Sequence, residues 1–271
     1  MQESNSRQAA IRLGTHGEDY GNWMPVSMLR LVGGLLALAA VLVALSFTVF
    51  RLTVLGVIFV IAAVVLLVLL CWITWIRRQY AFGGGGMMER VHHTILSHLN
   101  YDGKGTLLDV GCGSGALAIR AALTWRSAQV TGIDYWGAAY GYGQAMCEKN
   151  AASEGVGSRC AFRHGDANRL DFPDESFDAV VSNYVYHNIT GADKHELLLE
   201  TLRVLKKGGV FALNDEMKPR MYGDMEAFAQ KLRDMGYQEV RLIDTAKEAF
   251  GSRRRAVLMM LGDSRLLVGR K

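Results

Sequence analysis

Cysteine and net charge are both scarce in this 271-residue chain. Its four cysteines, Cys71, Cys112, Cys147 and Cys160, form neither a disulfide framework nor a C-x-x-C metal knuckle. A secreted disulfide scaffold is thereby excluded, and a reducing compartment is expected. The formal net charge of +4 is small and dispersed, too weak to imply a nucleic-acid partner. No internal repeat and no low-complexity tail is visible, which removes solenoids and disordered arrays. What the chain has in excess is apolar side chain in one place: 38 of the 46 residues from Leu31 to Ile76. The remainder has ordinary globular composition and suffices for one soluble domain of roughly 190 residues.

Leu31 to Phe50 is an uncharged run of 20 residues and Leu52 to Ile76 one of 25, with Arg51 alone between them. At about 1.5 Å per residue each run can cross the ~30 Å hydrocarbon layer. One continuous helix would hold Arg51 at mid-depth, at a cost of roughly 2.5–3.5 kcal/mol. Two spans, 31–50 and 53–76, joined by a tight turn from Phe50 to Thr53, avoid that cost. A secretory signal peptide is shorter and has no second run. Arg7, Arg12 and Arg30 precede the first span and Arg77 and Arg78 follow the second. The bias predicts a protein of the cell (inner or plasma) membrane with both termini in the cytoplasm. Trp23, Trp72, Trp75 and Tyr80 fall where that interface lies. Gly33, Ala37, Ala40 and Ala44 form a small-residue stripe that admits a neighbouring helix, either the second span with its Gly56, Ala62 and Ala63 or another protomer in a homodimer. The expected organisation is a cytoplasmic segment over 1–28, a hairpin over 29–78, a joint over 79–87 containing Gly83 to Gly86, and a soluble domain over 88–271.

That domain alternates strand and helix patterns. Helices are expected over Met88–Leu99, Ala116–Leu123, Tyr140–Ser153, Lys194–Leu205 and Met225–Met235. Strands are expected over Thr106–Val110, Gln129–Ile133, Cys160–His164, Phe177–Ser182, Val210–Leu213, Glu239–Ile243 and Arg265–Gly269. Such alternation predicts an α/β fold, a mostly parallel sheet covered by helices on both faces. Ligands in such sheets bind beyond the carboxyl ends of the strands, where strand order reverses.

The first strand runs into Asp109-Val110-Gly111-Cys112-Gly113-Ser114-Gly115, and a helix starts at once. Glycines there permit a tight turn and a close approach of backbone to ligand. Gly111, Gly113 and Ala116 also satisfy the G-x-G-x-x-A form of dinucleotide sites, so the loop alone does not decide which nucleoside-bearing cofactor it serves. The second strand ends at Asp134, where a carboxylate can take both ribose hydroxyls. Asp109 sits in the turn, where its charge repels a pyrophosphate and suits a cation. Asp166, in Gly165-Asp166-Ala167, ends the third strand. Both acids are also in place to cap the helices or turns that follow.

These segments together resemble the class I S-adenosylmethionine-dependent methyltransferases. The resemblance rests on LLDVGCGSG (Leu107–Gly115), GID (Gly132–Asp134), GDA (Gly165–Ala167), FDAVVSN (Phe177–Asn183) and RVLKKGG (Arg203–Gly209), and spans nearly all of 88–271. It implies a Rossmann-like seven-stranded sheet whose last strand is antiparallel. It also implies S-adenosyl-L-methionine as cofactor, with Gly111, Cys112, Gly113 and Gly115 around the methionine part and Asp109 and Asn183 close by. Asp134 would then hold the ribose, Tyr135 pack on the adenine, and Asp166 with Ala167 reach its edge. Lys207 departs from the proline common in the family before the paired glycines, and a local change in that turn is expected. Cys112 reads as a small filler of the loop.

Methyl transfer from a sulfonium is an in-line displacement that needs an oriented nucleophile and, for a protic acceptor, a place for its proton. The fourth strand ends in Asn183-Tyr184-Val185-Tyr186-His187-Asn188. Asn183 can orient a donor, His187 can take a proton near neutrality, and Tyr184 or Tyr186 can line an acceptor pocket. His92, His93 and His98 do not share one helix face, and no metal site is expected. Helix Met87–Leu99 is in place to act as a lid. Arg253, Arg254 and Arg255 form the densest positive cluster, a solvated face or a contact for anionic headgroups. The spans point to a small lipophilic or membrane-associated acceptor. Two rivals remain: a nicotinamide-dependent reductase, against which stands the lack of Tyr-x-x-x-Lys, and a cofactor-binding membrane sensor or assembly factor without turnover.

Overall fold

The computed structural model describes residues 11, 13–83, 86–137 and 141–271. The chain divides into two compact units: Asn22–Gly85, and Gly86–Lys271 together with the described residues up to Gly21.

The first unit is a helical hairpin, α1 (Val26–Thr48) and α2 (Thr53–Tyr80). The chain reverses where expected, with Arg51 in a left-handed conformation at φ 53°. Both helices are long and apolar enough to cross a membrane, roughly 34 and 42 Å at about 1.5 Å per residue. Large apolar side chains such as Leu31, Val41, Val54 and Val65 point outward, as they do in helices that are hydrophobic all round. The expected stripe is not the packing face: Ala37, Ala40 and Ala44 are exposed, and a Cβ at Gly33 would meet nothing within 4 Å. Val32, Ala39 and Ser46 are buried instead. Both sets repeat every seven residues, so spacing alone does not select the packing face. Gly56 makes room for Phe47, whose ring would lie 2.7 Å from an added Cβ. At the basic end, the Arg77 carbonyl accepts from Asn22 Nδ2 at 2.9 Å and its guanidinium donates to the Met24 carbonyl. Gly84 and Gly85 of the joint lie outside the described residues.

The second unit is built in chain order from α3 (Met87–His98), β1 (Gly105–Val110), α4 (Ala116–Thr124), β2 (Ala128–Asp134), α5 (Gln144–Ser153), β3 (Cys160–His164), β4 (Phe177–Asn183) and α6 (Lys194–Arg203). It continues with β5 (Leu205–Glu216), α7 (Pro219–Tyr222), α8 (Met225–Asp234), β6 (Gln238–Ile243), α9 (Thr245–Glu248), α10 (Arg253–Leu258) and β7 (Ser264–Arg270). The strands form one seven-stranded sheet in the order β3-β2-β1-β4-β5-β7-β6. β7 runs antiparallel to both of its neighbours, and the remaining pairs are parallel. Central strands read as continuous apolar runs because both of their faces are covered, and Leu108, Val110, Val180, Phe211 and Leu213 are buried accordingly. Strand order reverses between β1 and β4, so a cleft opens at their carboxyl ends.

Three expectations change. β5 begins at Leu205 and runs to Glu216, well past Leu213, because β7 pairs it through Asp215–Arg265 and Glu216–Ser264. The polar run Asn214-Asp215-Glu216 resembles a loop until that partner is known. Helix α5 starts at Gln144, and Tyr140 of the expected segment lies outside the described residues. Helix α3 is not a loose lid, since Met87, Val91 and Ile95 are fully buried and Arg90 Nε donates to the Ala249 carbonyl at 3.1 Å.

The stretch before the hairpin belongs to this unit. Arg120 Nη1 donates to the Ile11 carbonyl at 3.1 Å. Asn150, on α5, accepts from Asp19 N at 3.2 Å, and its Nδ2 donates both to the Asp19 carbonyl (2.8 Å) and to the Ser114 carbonyl of the glycine loop (3.1 Å).

Candidate active site

The glycine loop owes its shape to three residues with left-handed φ, Gly111 (72°), Gly113 (56°) and Gly115 (83°). At Gly111 a Cβ would meet Val185 Cγ2 at 2.2 Å, so the loop and the turn after β4 touch directly. The Gly111 and Cys112 amides donate to the Ile133 carbonyl at 2.8 and 2.9 Å, tying the loop to β2. Cys112, within the loop, is buried, and burial pushes its thiol pKa up.

Asp109 is buried, and burial raises its carboxyl pKa well above the ordinary range. The helix α4 that follows is capped at Gly115 without a side-chain bond, and the Asp109 carboxyl accepts a backbone bond from Ala118 in the first turn of that helix. Its Oδ2, however, has no hydrogen-bond partner among the described residues. An unpaired buried carboxylate is costly, and a cation bound at the loop offsets that cost. The donor set therefore fits a sulfonium-bearing cofactor better than a pyrophosphate.

Asp134 ends β2 with both oxygens engaged: Oδ2 accepts from Gly113 N at 2.8 Å and Oδ1 from Trp136 N at 2.7 Å. Trp136, absent from the expected set, returns its Nε1 to the Gly113 carbonyl at 2.8 Å. A closed ring of bonds thus fixes the acid against the loop. Tyr135 is 66% exposed, with its ring 5.2 Å from that of His164. Asp166 is exposed and caps its own turn, accepting from Asn168 N at 2.8 Å, while Ala167 is half-buried against the core.

At the end of β4, Asn183 Oδ1 accepts from Asn214 Nδ2 at 2.9 Å, and Asn214 Oδ1 accepts from Thr245 Oγ1 at 2.8 Å. Tyr184 adopts φ 58°, is buried, and bonds Ser264 Oγ through its hydroxyl. Tyr186 turns into the core, where its hydroxyl meets Thr201 Oγ1 at 2.9 Å, so it does not line a pocket. His187 is held by Asp215 of β5: Nδ1 donates to Oδ1 at 2.5 Å, and the His187 backbone amide donates to Oδ2 at 3.2 Å. Asp215 is fully buried, while the His187 side chain is 29% exposed. A neutral imidazole whose Nδ1–H is committed to the carboxylate presents its lone pair at Nε2. Next to it Glu216 is buried, with Oε2 lacking a partner among the described residues, and burial raises its carboxyl pKa. Burial and the nearby Asp215 charge likewise hold the Tyr222 phenol protonated.

Asp215, Glu216 and Trp136 were not singled out from the sequence. The available signal for the two acids was their position just after an apolar strand, at the sheet edge where ligands bind. Elsewhere in the unit, His16 Nδ1 lies 3.7 Å from both Glu18 Oε1 and Glu154 Oε2, ion-pair distances that help pin the N-terminal stretch to α5.

Sheet order, glycine cradle and acids at successive strand ends agree with the resemblance to class I S-adenosylmethionine-dependent methyltransferases. Residues 108–213 match the family described as Methyltransferase domain. The chain is 33% identical over 140 residues to a 27-O-demethylrifamycin SV methyltransferase of Amycolatopsis mediterranei, covering 51% of this chain and 48% of that protein. It is also 33% identical over 149 residues to a fatty-acid O-methyltransferase of Mycolicibacterium smegmatis, covering 55% and 49%. The chain spans about half the length of the curated relatives it matches. Among solved structures it is similar in fold to a geranyl diphosphate C-methyltransferase of Streptomyces coelicolor A3(2), crystallised with Mg2+, geranyl diphosphate and S-adenosyl-L-homocysteine. The TM-score is 0.51 at 15% identity, covering 66% of this chain and 77% of that one.

Proposed function

We propose that this chain is a membrane-anchored methyltransferase that moves a methyl group from S-adenosylmethionine to a hydroxyl or similar protic group of a lipophilic acceptor. The observation that carries the reading is the His187–Asp215 pair at the carboxyl edge of the sheet, two residues from the valine that packs on Gly111. When bound, the cofactor supplies an electrophilic methyl group. Gly111, Cys112, Gly113 and Gly115 shape its cradle, Asp109 balances its charge, Asp134 takes the ribose, and Tyr135, Asp166 and Ala167 border the adenine. Asn183, braced by Asn214, orients the acceptor; His187 Nε2 takes the acceptor's proton, and Asp215 stabilises the imidazolium that forms. Tyr184 forms part of the wall behind the imidazole.

The lipophilic class draws support from the relatives whose names carry a rifamycin and a fatty acid, and from two helices that can each cross a bilayer. Arginine placement favours both ends of the hairpin, and the catalytic unit, on the cytoplasmic side. The test is calorimetric binding of S-adenosylmethionine by the detergent-solubilised full chain, followed by release of S-adenosylhomocysteine across a panel of lipophilic alcohols, phenols, acids, amines and thiols. Transfer to a hydroxyl or carboxyl acceptor is the expected result. Binding without turnover across the panel would establish the sensor reading instead, and binding of a nicotinamide dinucleotide alone would overturn the assignment.

A further inference from the structure

Helix α10 and the turn after it present an unusual surface. Ala256, Met259 and Leu261 are buried and anchor the segment. Val257, Leu258 and Met260 point the other way and are 58%, 57% and 50% exposed. Arg253, Arg254 and Arg255 are exposed on the same short helix. Arg253 pairs with Asp263 at 2.7 Å, whereas Arg254 and Arg255 have no acidic partner among the described residues. Arg90 lies close enough to feel the charge of Arg255.

Met260 is the most telling member. The helix ends with Leu261 N donating to the Ala256 carbonyl at 2.9 Å and Met260 N to the Val257 carbonyl at 2.9 Å, the bond pair that usually closes around glycine. Here the residue at φ 62° is methionine. A side chain at that position is strained, and this one is large, apolar and half in water. Neither strain nor exposure favours it in a purely aqueous setting.

The segment also has a fixed relation to the catalytic edge. Just beyond Met260, Asp263 N donates to Glu216 Oε1 at 3.1 Å, and Ser264 Oγ bonds the Tyr184 hydroxyl. The exposed patch therefore sits on the rim of the site that holds His187 and Asp215.

We infer that Arg254, Arg255, Val257, Leu258 and Met260 dock this rim onto an anionic lipid bilayer. The apolar side chains enter the headgroup boundary and the two arginines face lipid phosphates, the composition of an interfacial helix. Charge complementarity selects an anionic surface, and the same chain carries two helices long enough to span a bilayer that presents one. This inference rests on the membrane reading above and specifies it: a lipophilic acceptor would pass from the bilayer across the patch to His187 without crossing water.

The test is hydrogen–deuterium exchange on the full chain in nanodiscs of phosphatidylcholine alone and of phosphatidylcholine with phosphatidylglycerol. Expected is slower exchange over 253–262 in the anionic discs, reversed by high salt. Arg254→Gln with Arg255→Gln should weaken docking roughly 30-fold, which is about 2 kcal/mol for two charges. Met260→Gly separates docking from misfolding: it relieves the strained φ, should fold at least as well, and should still reduce protection. Equal exchange in neutral and anionic discs would overturn the inference, as would protection that scales with protein concentration, which would assign the patch to a second copy. Docking without methyl transfer would sink the proposed activity and leave this inference standing. Transfer to a disc-borne acceptor with no protection of 253–262 would do the reverse, and failure of the chain to remain with the discs would remove the membrane reading beneath both.

Discussion

Replacing Asp215 by asparagine keeps the shape of the side chain and removes its charge, and the hydrogen bonds show why the imidazole cannot adapt. Among the described residues the carboxylate accepts from His187 Nδ1 at 2.5 Å and Glu216 N at 2.6 Å on Oδ1, and from His187 N at 3.2 Å on Oδ2. Asparagine offers one acceptor oxygen and one donating amide. With its oxygen in the Oδ1 place, the amide faces the His187 backbone N–H, donor against donor. With the amide in the Oδ1 place, it opposes Glu216 N, and the ring must present a lone pair at Nδ1, which puts the proton on Nε2 and abolishes the base. The first arrangement leaves the imidazolium without a counter-charge and opposes two donors at the turn that carries it, and the second removes the base; the contribution at stake is that of a positioned general base, typically about 10²–10⁴ in rate, or roughly 3–5 kcal/mol in the barrier. The assay is single-turnover release of S-adenosylhomocysteine, with calorimetric cofactor affinity and melting temperature measured on the same preparation. Expected are a kcat lower by at least about a hundredfold, cofactor affinity within threefold of the parent, and partial recovery at alkaline pH, where an acidic hydroxyl acceptor ionises unaided. A variant that keeps kcat within threefold would refute the reasoning, because Asp215 would then be a structural acid.

Asp134→Ala should weaken S-adenosylmethionine at least tenfold in calorimetry, since it removes a ribose acceptor and frees the Gly113 and Trp136 amides it holds; unchanged affinity would exclude a nucleoside at this strand end. Gly111→Ala should lower the melting temperature and cofactor affinity together, because the new Cβ is both at a left-handed φ and 2.2 Å from Val185, a combination worth roughly 1–3 kcal/mol or more. Glu216→Gln should stabilise the fold at neutral and alkaline pH. Burial raises the carboxyl pKa of Glu216, so its folded form is favoured while protonated and loses stability as pH rises through that raised value. The gain in melting temperature should shrink as pH falls through the ordinary glutamate range, and a gain independent of pH would point to another cause.

Much of this protein is written locally. The left-handed glycines at 111, 113 and 115 declare a tight loop because no other residue takes those angles cheaply. The alternation of apolar strands with amphipathic helices implies a parallel sheet, and that sheet places Asp109, Asp134, Asp166 and Asn183 at successive strand ends without further information. Two uncharged runs around Arg51 imply a hairpin by length and desolvation cost alone.

What the chain's order of residues left undecided depends on partners distant along it. Asp215 becomes the support of His187 only because β5 lies beside β4 and because β7 extends β5 by antiparallel pairing to Glu216. Tyr184 and Tyr186 look equivalent in sequence, yet a left-handed φ sends the first to Ser264, while the turn that follows sends the second to Thr201 in the core. The stretch ending at Gly21 is polar enough to pass for a free tail until Asn150 is seen bonding both Asp19 and the glycine loop. Periodicity and composition govern which elements form, because backbone sterics and solvent exclusion act on neighbours. Which side chains meet is set by hydrogen bonds and packing across elements, and those appear only once the sheet has closed.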